Sequence, residues 1–265
     1  MTKLFHSFCS FCLLVLTFPA ASAEMSAADI VERSQRAFYY PAEDMKARVV
    51  MQLIDRDGQI RSRVLTMLRR DEAEGGDQKY FIYFHEPGDV RRMTFMVWKD
   101  PVDEDQRWIF VPAVDLVRRI AADDKRSSFV GSDFTYEDVS GRDVATDTHS
   151  LVREEALNGH DTFVVESTPN EAAEYTRRIS WIDKQTFLPV KEEYYDAQGA
   201  LFRVFTADEI ADITGWPTVV RRTMENVKTG HRTEVTFESV AYDLGLADED
   251  FSERRMRLPP RAWIE

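Results

Sequence analysis

Hydrophobic positions recur at helical spacing in only one stretch near the start of the chain. Ile30, Val31, Ser34, Ala37 and Phe38 form a single stripe. Ser26 can cap the helix at its start and Pro41 ends it. From there the period is two. Met45, Ala47, Val49, Met51 and Leu53 alternate with Lys46, Arg48 and Gln52, which predicts a half-buried strand. Asp55-Arg56-Asp57-Gly58 turns it into a partner running from Ile60 to Leu68, and Gly75-Gly76 marks the next turn.

Three later runs, Tyr80–Phe84, Met93–Trp98 and Trp108–Val111, are apolar on both alternating faces. Such strands are covered on both sides or face a cavity on one. The second half returns to amphipathic hairpins, with strands predicted at Thr162–Glu166, Arg177–Ile182, Leu188–Tyr195, Leu201–Phe205, Val219–Val227 and Thr233–Tyr242. Asn158-Gly159, Asp183-Lys184, Gln198-Gly199, Gly215-Trp216-Pro217 and Thr229-Gly230 supply the turns. So many strands with hairpin-length connections describe a large antiparallel sheet that must curl, with the first helix lying on its concave side. No Pro/Gly/Ser-rich linker interrupts the pattern, so residues 24–265 are expected to form a single domain.

The first 23 residues stand outside this scheme. Lys3, the apolar run from Phe8 to Phe18 and Ala21-Ser22-Ala23 have the layout of a secretory signal peptide cleaved near Ala23. The run is short for a membrane span. Cys9 and Cys12 both lie inside this leader, so the exported chain would hold neither a disulfide-linked partner nor a thiolate metal site. The net charge is −13, and removing Lys3 makes it one unit more negative. An acidic protein is poorly suited to nucleic acid, which needs Lys and Arg against its phosphates.

Candidate catalytic chemistry is sparse. His85, His149, His160 and His231 fall at no ligand spacing and read as surface or hairpin residues. Asp55-Arg56-Asp57-Gly58 opens like a calcium loop, but Thr66 stands where the twelfth-position Glu belongs. Ser132 in Gly131-Ser132-Asp133 is not a nucleophile elbow. Neighbours in Glu154-Glu155 and Glu192-Glu193 point to opposite faces of a strand, which suits solvation better than acid/base work. The reading is of a protein that is not an enzyme and needs no cofactor.

What the chain has instead is apolar surplus: Phe81, Tyr83, Phe95, Val97, Trp98, Trp108, Phe110, Phe129 and Phe134 fall in one central segment. One face of these strands can be core while the other lines a cavity for an acyl chain. The expected lining is Val49, Met51, Phe81, Phe95, Val97, Trp108, Phe110, Phe129, Phe134 and Trp181. Phe95 and Phe110 are expected to face the cavity, with Met96 and Ile109 turned away.

The segment TFMVWKDPVDEDQRWIFVPAVDLVRRIAADDKRSSFVGSDFTYEDV (94–139) resembles the central signature of the LolA-like outer-membrane lipoprotein-sorting family. WIDKQTFLPVKEEYYDAQG (181–199) is similar to the strand–turn–strand common to LolA/LolB-type half-barrels, and the resemblance runs from about Ala27 to Arg257. It implies a mainly β fold with covering helices: an unclosed, strongly curled antiparallel half-barrel around a hydrophobic cavity. It also implies a periplasmic carrier for the acyl chains of lipoproteins or lipids. In that frame Arg118 and Arg119 close a strand, residues 123–135 form a lid over the sheet mouth, and Asp133 caps a short turn containing Tyr136 and Glu137. Some members of this branch are encoded beside large RND-type exporters. That supports an alternative: a non-enzymatic accessory subunit docking on an inner-membrane exporter. A hydrolase acting on envelope lipids would need a nucleophile–base pair that the sequence does not display.

Overall fold

A computed structural model of the protein describes residues 25–72, 75–100, 103–171 and 173–264. The leader expected over residues 1–23 and the Gly75-Gly76 turn's neighbours at 73–74 lie outside the described residues. Helix α1 (Ala27–Tyr39) starts with a capping box in which Ser26 and Asp29 satisfy each other's backbone N–H. Six strands follow: β1 (Asp44–Ile54), β2 (Ile60–Asp71), β3 (Gln78–Glu86), β4 (Thr94–Lys99), β5 (Gln106–Val111) and β6 (Leu116–Ile120). A connection over residues 121–146 contains the short helix α2 (Tyr136–Ser140). Seven more strands come after it: β7 (Asp147–Leu157), β8 (His160–Pro169), β9 (Arg177–Asp183), β10 (Pro189–Tyr195), β11 (Leu201–Ile213), β12 (Trp216–Asn226) and β13 (His231–Tyr242). The short helices α3 (Glu253–Arg257) and α4 (Arg261–Ile264) end the chain.

Among the described residues the strands make one antiparallel sheet of thirteen, in the order β6-β5-β4-β3-β2-β1-β13-β12-β11-β10-β9-β8-β7. Every step along it except one joins strands consecutive in sequence; the exception pairs β1 with β13, so that the first and last strands meet in the middle. β6 and β7 are consecutive in sequence yet form the two opposite edges, and they do not pair. The sheet is therefore an unclosed, curled half-barrel, and the segment joining its two free edges has to cross the mouth.

Two strands depart from the sequence pattern. β7 was not expected, because Asp147–Leu157 is exposed along most of its length and alternates no apolar face. β11 runs to Ile213, well past the apolar stretch ending at Phe205, because its hairpin with β12 carries Asp208 and Glu209 through register irregularities. Asp55 builds its turn as expected, its carboxylate accepting from the backbone N–H of Asp57 and Gln59.

The two-sided apolar strands are covered on both faces. One face of β1–β5 turns inward: Met45, Ala47, Val49, Met51, Leu65, Met67, Tyr80, Ile82, Phe84, Phe95, Val97 and Ile109 belong to one buried cluster. The other face of β2–β5, with Leu68, Phe81, Met96, Trp108 and Phe110, is buried under Leu246, Phe251 and Met256 of the C-terminal segment. Trp98 Nε1 donates to the Phe251 carbonyl (2.8 Å) and Thr94 Oγ1 to that of Met256 (3.1 Å), fixing the segment on the convex side.

Candidate functional site

The concave face of the sheet has two halves that differ in chemistry. On the β1–β6 side the inward residues are aliphatic and aromatic, and the crossing segment fills the space above them. Residues 128–135 fold into a tight hairpin in which Phe129 N–H donates to the Phe134 carbonyl (2.7 Å) and Ser132 N–H to that of Phe129 (3.0 Å). Val130 and Gly131 at its tip both have positive φ, 50° and 80°. That pairing suits a two-residue hairpin turn and is unfavourable for the β-branched Val130. The hairpin drives Phe129 between Phe84, Phe95 and Tyr136, with ring centroids 6.0, 5.3 and 5.5 Å away. What remains is a cavity of about 30 Å³ among Val49, Met51, Leu65, Phe134 and Val235, room for little more than one water-sized group.

Polar bonds hold this lid down. The Asp133 carboxylate accepts from Thr233 Oγ1 (2.7 Å) and meets His231 Nδ1 at 2.6 Å, while Asp133 N–H donates to Thr233 Oγ1. The expectation that Asp133 caps the following turn is corrected: Thr135 is the N-cap of α2, in a capping box with Asp138. Asp133 is drawn away because β13 presents His231 and Thr233 beneath it, partners about a hundred residues distant that no local pattern reveals. His231 is thus a lid contact and not only a hairpin residue.

On the β8–β12 side the interior is ionic. Period-two alternation points Arg178, Ser180 and Ile182 inward from β9 and sends Ile179 and Trp181 to the outer face. Arg203 donates to Asp138 Oδ2 (2.9 Å) and lies 2.9 Å from Glu174, with Tyr194 stacked beneath its guanidinium. Glu192 accepts from Ser180 Oγ and the Tyr194 hydroxyl and faces Arg178 at 3.6 Å. Arg142 donates to Asp147 (2.9 Å), which also accepts from the Tyr175 hydroxyl. Burial pushes the Glu174 carboxyl up to about 7, the neighbouring Arg203 offsetting only part of the cost. These groups and α1 enclose a cavity of about 90 Å³. Glu192 and Glu193 do point to opposite faces, but Glu192 points into the interior and not to solvent; its buried partners outweigh the loss of water.

Of the ten expected lining residues, Val49, Met51, Phe95, Val97, Phe129 and Phe134 come together on the concave side. Phe81, Trp108 and Phe110 do not: they lie in the convex-side core beneath the C-terminal segment. Trp181 is on the outer face with Val164, Ile179 and Val190. The expectation that Phe95 and Phe110 share a face is corrected by register. Phe95 stands opposite Ile109, and directly opposed residues of an antiparallel pair point the same way, so Ile109 lines the interior and Phe110 faces out. A strand apolar on both faces carries no signal for which face is concave. The interior charges Arg178, Glu192, Arg203 and Arg222 were missed for a related reason: the apolar residues beside them, Ile179 and Trp181, mark the outer face as core.

Among the described residues no cluster of His, Cys, Asp and Glu could hold a metal ion, and no helix is long and apolar enough to cross a membrane. No curated protein matches the sequence. A family model described as "-like: Uncharacterized protein" matches residues 76–258. Among solved structures, a DUF1329 family protein from Desulfovibrio piger is 28% identical, with a TM-score of 0.81 over 87% of this chain and 97% of that one. A putative outer membrane lipoprotein-sorting protein domain from Vibrio parahaemolyticus is 27% identical, with a TM-score of 0.81 over 87% of this chain and 98% of that one. A LolA superfamily protein from Nitrosomonas europaea, 19% identical over 87% and 99% of the two chains, shares the fold at a TM-score of 0.67. With the curled, unclosed sheet and these matches in hand, the chain belongs to the family whose model spans residues 76–258, and it is LolA-like in fold.

Proposed function

We propose that the protein is a periplasmic, non-enzymatic carrier that takes an acyl chain of a lipid or lipoprotein into the concave face of residues 24–265. The observation that carries this is the lid: Phe129 and Phe134, 3% and 7% exposed, occupy the place on the aliphatic half of the sheet that an acyl chain would take. Withdrawing two buried Phe side chains costs about 3–6 kcal/mol. At about 0.8 kcal/mol per buried methylene, roughly four to eight methylenes offset that cost, so chains of ordinary membrane length suffice and short ones do not. The leader pattern in residues 1–23 supports export.

Native mass spectrometry of protein purified from cells is the test. A carrier arrives with acyl-bearing ligand bound, whereas an accessory subunit that only docks on an exporter arrives bare. Probe binding refines the test through strand alternation. Phe95→Asp and Ile109→Asp are expected to abolish binding of an apolar fluorescent probe, while Met96→Asp and Phe110→Asp chiefly lower stability. Equal effects at all four positions would sink the concave-face site.

A further inference from the structure

Arg222 of β12 is the odd cation of the interior. Its neighbours Arg142, Arg178 and Arg203 each have a carboxylate within 4 Å, but among the described residues Arg222 has neither an ion pair nor a hydrogen bond. Its Nε is sealed from solvent without an acceptor. The guanidinium sits instead among the rings of Phe237, Phe38 and Phe134, at 4.9, 5.2 and 5.5 Å from their centroids. Aromatic faces stabilise a cation but accept none of its N–H bonds in the plane where a carboxylate or phosphate binds. Burial pulls its pKa below the usual arginine range, the Asp138 carboxylate and the Tyr39 and Tyr80 hydroxyls opposing the shift, yet it stays charged. The Asp138 carboxylate is already committed, accepting from Arg203 and from the Thr135 N–H at the cap of α2.

Position makes this cation useful. Arg222 lines both the ionic cavity of about 90 Å³ and the aliphatic cavity of about 30 Å³, and it borders a third of about 60 Å³ beside α1. It stands where the two halves of the concave face meet, against the lid residue Phe134. A half-buried cation whose Nε is sealed without an acceptor is costly to keep, and a polar group of the ligand would offset the cost.

We infer that Arg222 is an anion-binding subsite at the head of the acyl cavity, selecting acyl ligands that carry a carboxylate or phosphate next to the chain over neutral ones. The chain would lie against Val49, Met51 and Leu65 once Phe134 moves, and the anion would take the forked N–H donors of Arg222. The inference rests on the carrier reading and adds to it the class of ligand.

The test displaces a neutral apolar fluorescent probe from the purified protein with two matched pairs: palmitate against methyl palmitate, and palmitoyl lysophosphatidate against monopalmitoylglycerol. Wild type is expected to prefer the anion of at least one pair by about tenfold to a hundredfold, the worth of a hydrogen bond to a charged group. The pair with the larger gap identifies carboxylate or phosphate as the head group. Arg222→Met is expected to erase the preference, leave neutral ligands binding as before, and keep or raise the melting temperature. Arg222→Gln, measured alongside, keeps the comparison readable if one variant fails to fold. Equal binding of anionic and neutral ligands by wild type overturns the subsite and leaves the carrier standing. A preference that survives in both variants overturns the assignment to Arg222. Failure of every ligand to bind folded wild type overturns subsite and carrier together.

Discussion

The two halves of the concave face solve the problem of an interior in opposite ways. The β1–β6 half is aliphatic and aromatic, and the chain has closed it with its own Phe129, Phe134 and Tyr136 until about 30 Å³ is left. The β8–β12 half is held open by groups that cannot collapse onto one another: Arg178 with Glu192, Arg203 with Asp138 and Glu174, and Arg142 with Asp147. Apolar surfaces fill space because any contact that excludes water is favourable, whereas ion pairs demand particular distances and leave gaps between them. The lesson is a division of labour. The ionic half is a frame of directed polar contacts that docks α1 and α2, and on the carrier reading proposed above the apolar half is the part that would exchange one set of contacts for another.

The sharpest way to break the comparison is to unbalance the frame. Arg203→Met removes a buried cation, strands the half-buried Asp138 and leaves the partly exposed Glu174 without its partner, and an expected loss of about 3 kcal/mol should appear in urea unfolding. A loss below about 1 kcal/mol would mean that the ionic half is not a frame. Next in size, Asp133→Ala cuts the lid from Thr233 and His231 at a cost of about 1–3 kcal/mol. Amide exchange in residues 123–136 should speed up while strands β4 and β9 keep their protection, because the lid opens locally. Added acyl ligand should slow that exchange, and uniform acceleration across the sheet would show that the lid is not a separate unit.

The smallest effect is a pH dependence. Glu174 has its pKa raised in the folded protein to about 7, so between the ordinary carboxylate range and 7 the native state binds the extra proton. Stability from this group therefore falls as pH rises through that window. Glu174→Gln should flatten the slope of melting temperature between pH 5 and pH 8 and raise stability at the upper end. An unchanged slope would assign the titration to another group such as Asp71, which burial raises to about 6.

Much of the architecture was written locally. Ser26 with Asp29 starts α1, period-two alternation marks β1, and Asp55 to Gly58 turns β1 into β2, since each needs only neighbours a few residues away. The turn between Phe129 and Phe134 is local too, built on Gly131, whereas its place over the sheet was expected only from the family resemblance. β7 was invisible because an exposed edge strand has no apolar face to pattern. Contacts made across about a hundred residues or more are a different matter: Asp133 to His231 and Thr233, Trp98 to Phe251, and Thr94 to Met256.

By itself, then, the amino-acid order determined that the chain makes a many-stranded, curled antiparallel sheet with a helix on it, because propensity, alternation and turn chemistry act over a few residues. Only the tertiary structure decided which face of β3–β5 is inside. Phe81, Trp108 and Phe110 went to the convex core because the C-terminal segment arrives to cover them, and Ile109 joined Phe95 because the β4–β5 register placed them opposite each other. Only there, too, did Arg222 become an unpaired cation between two cavities, since the partners that a charge finds or lacks are set by strands meeting from distant parts of the chain.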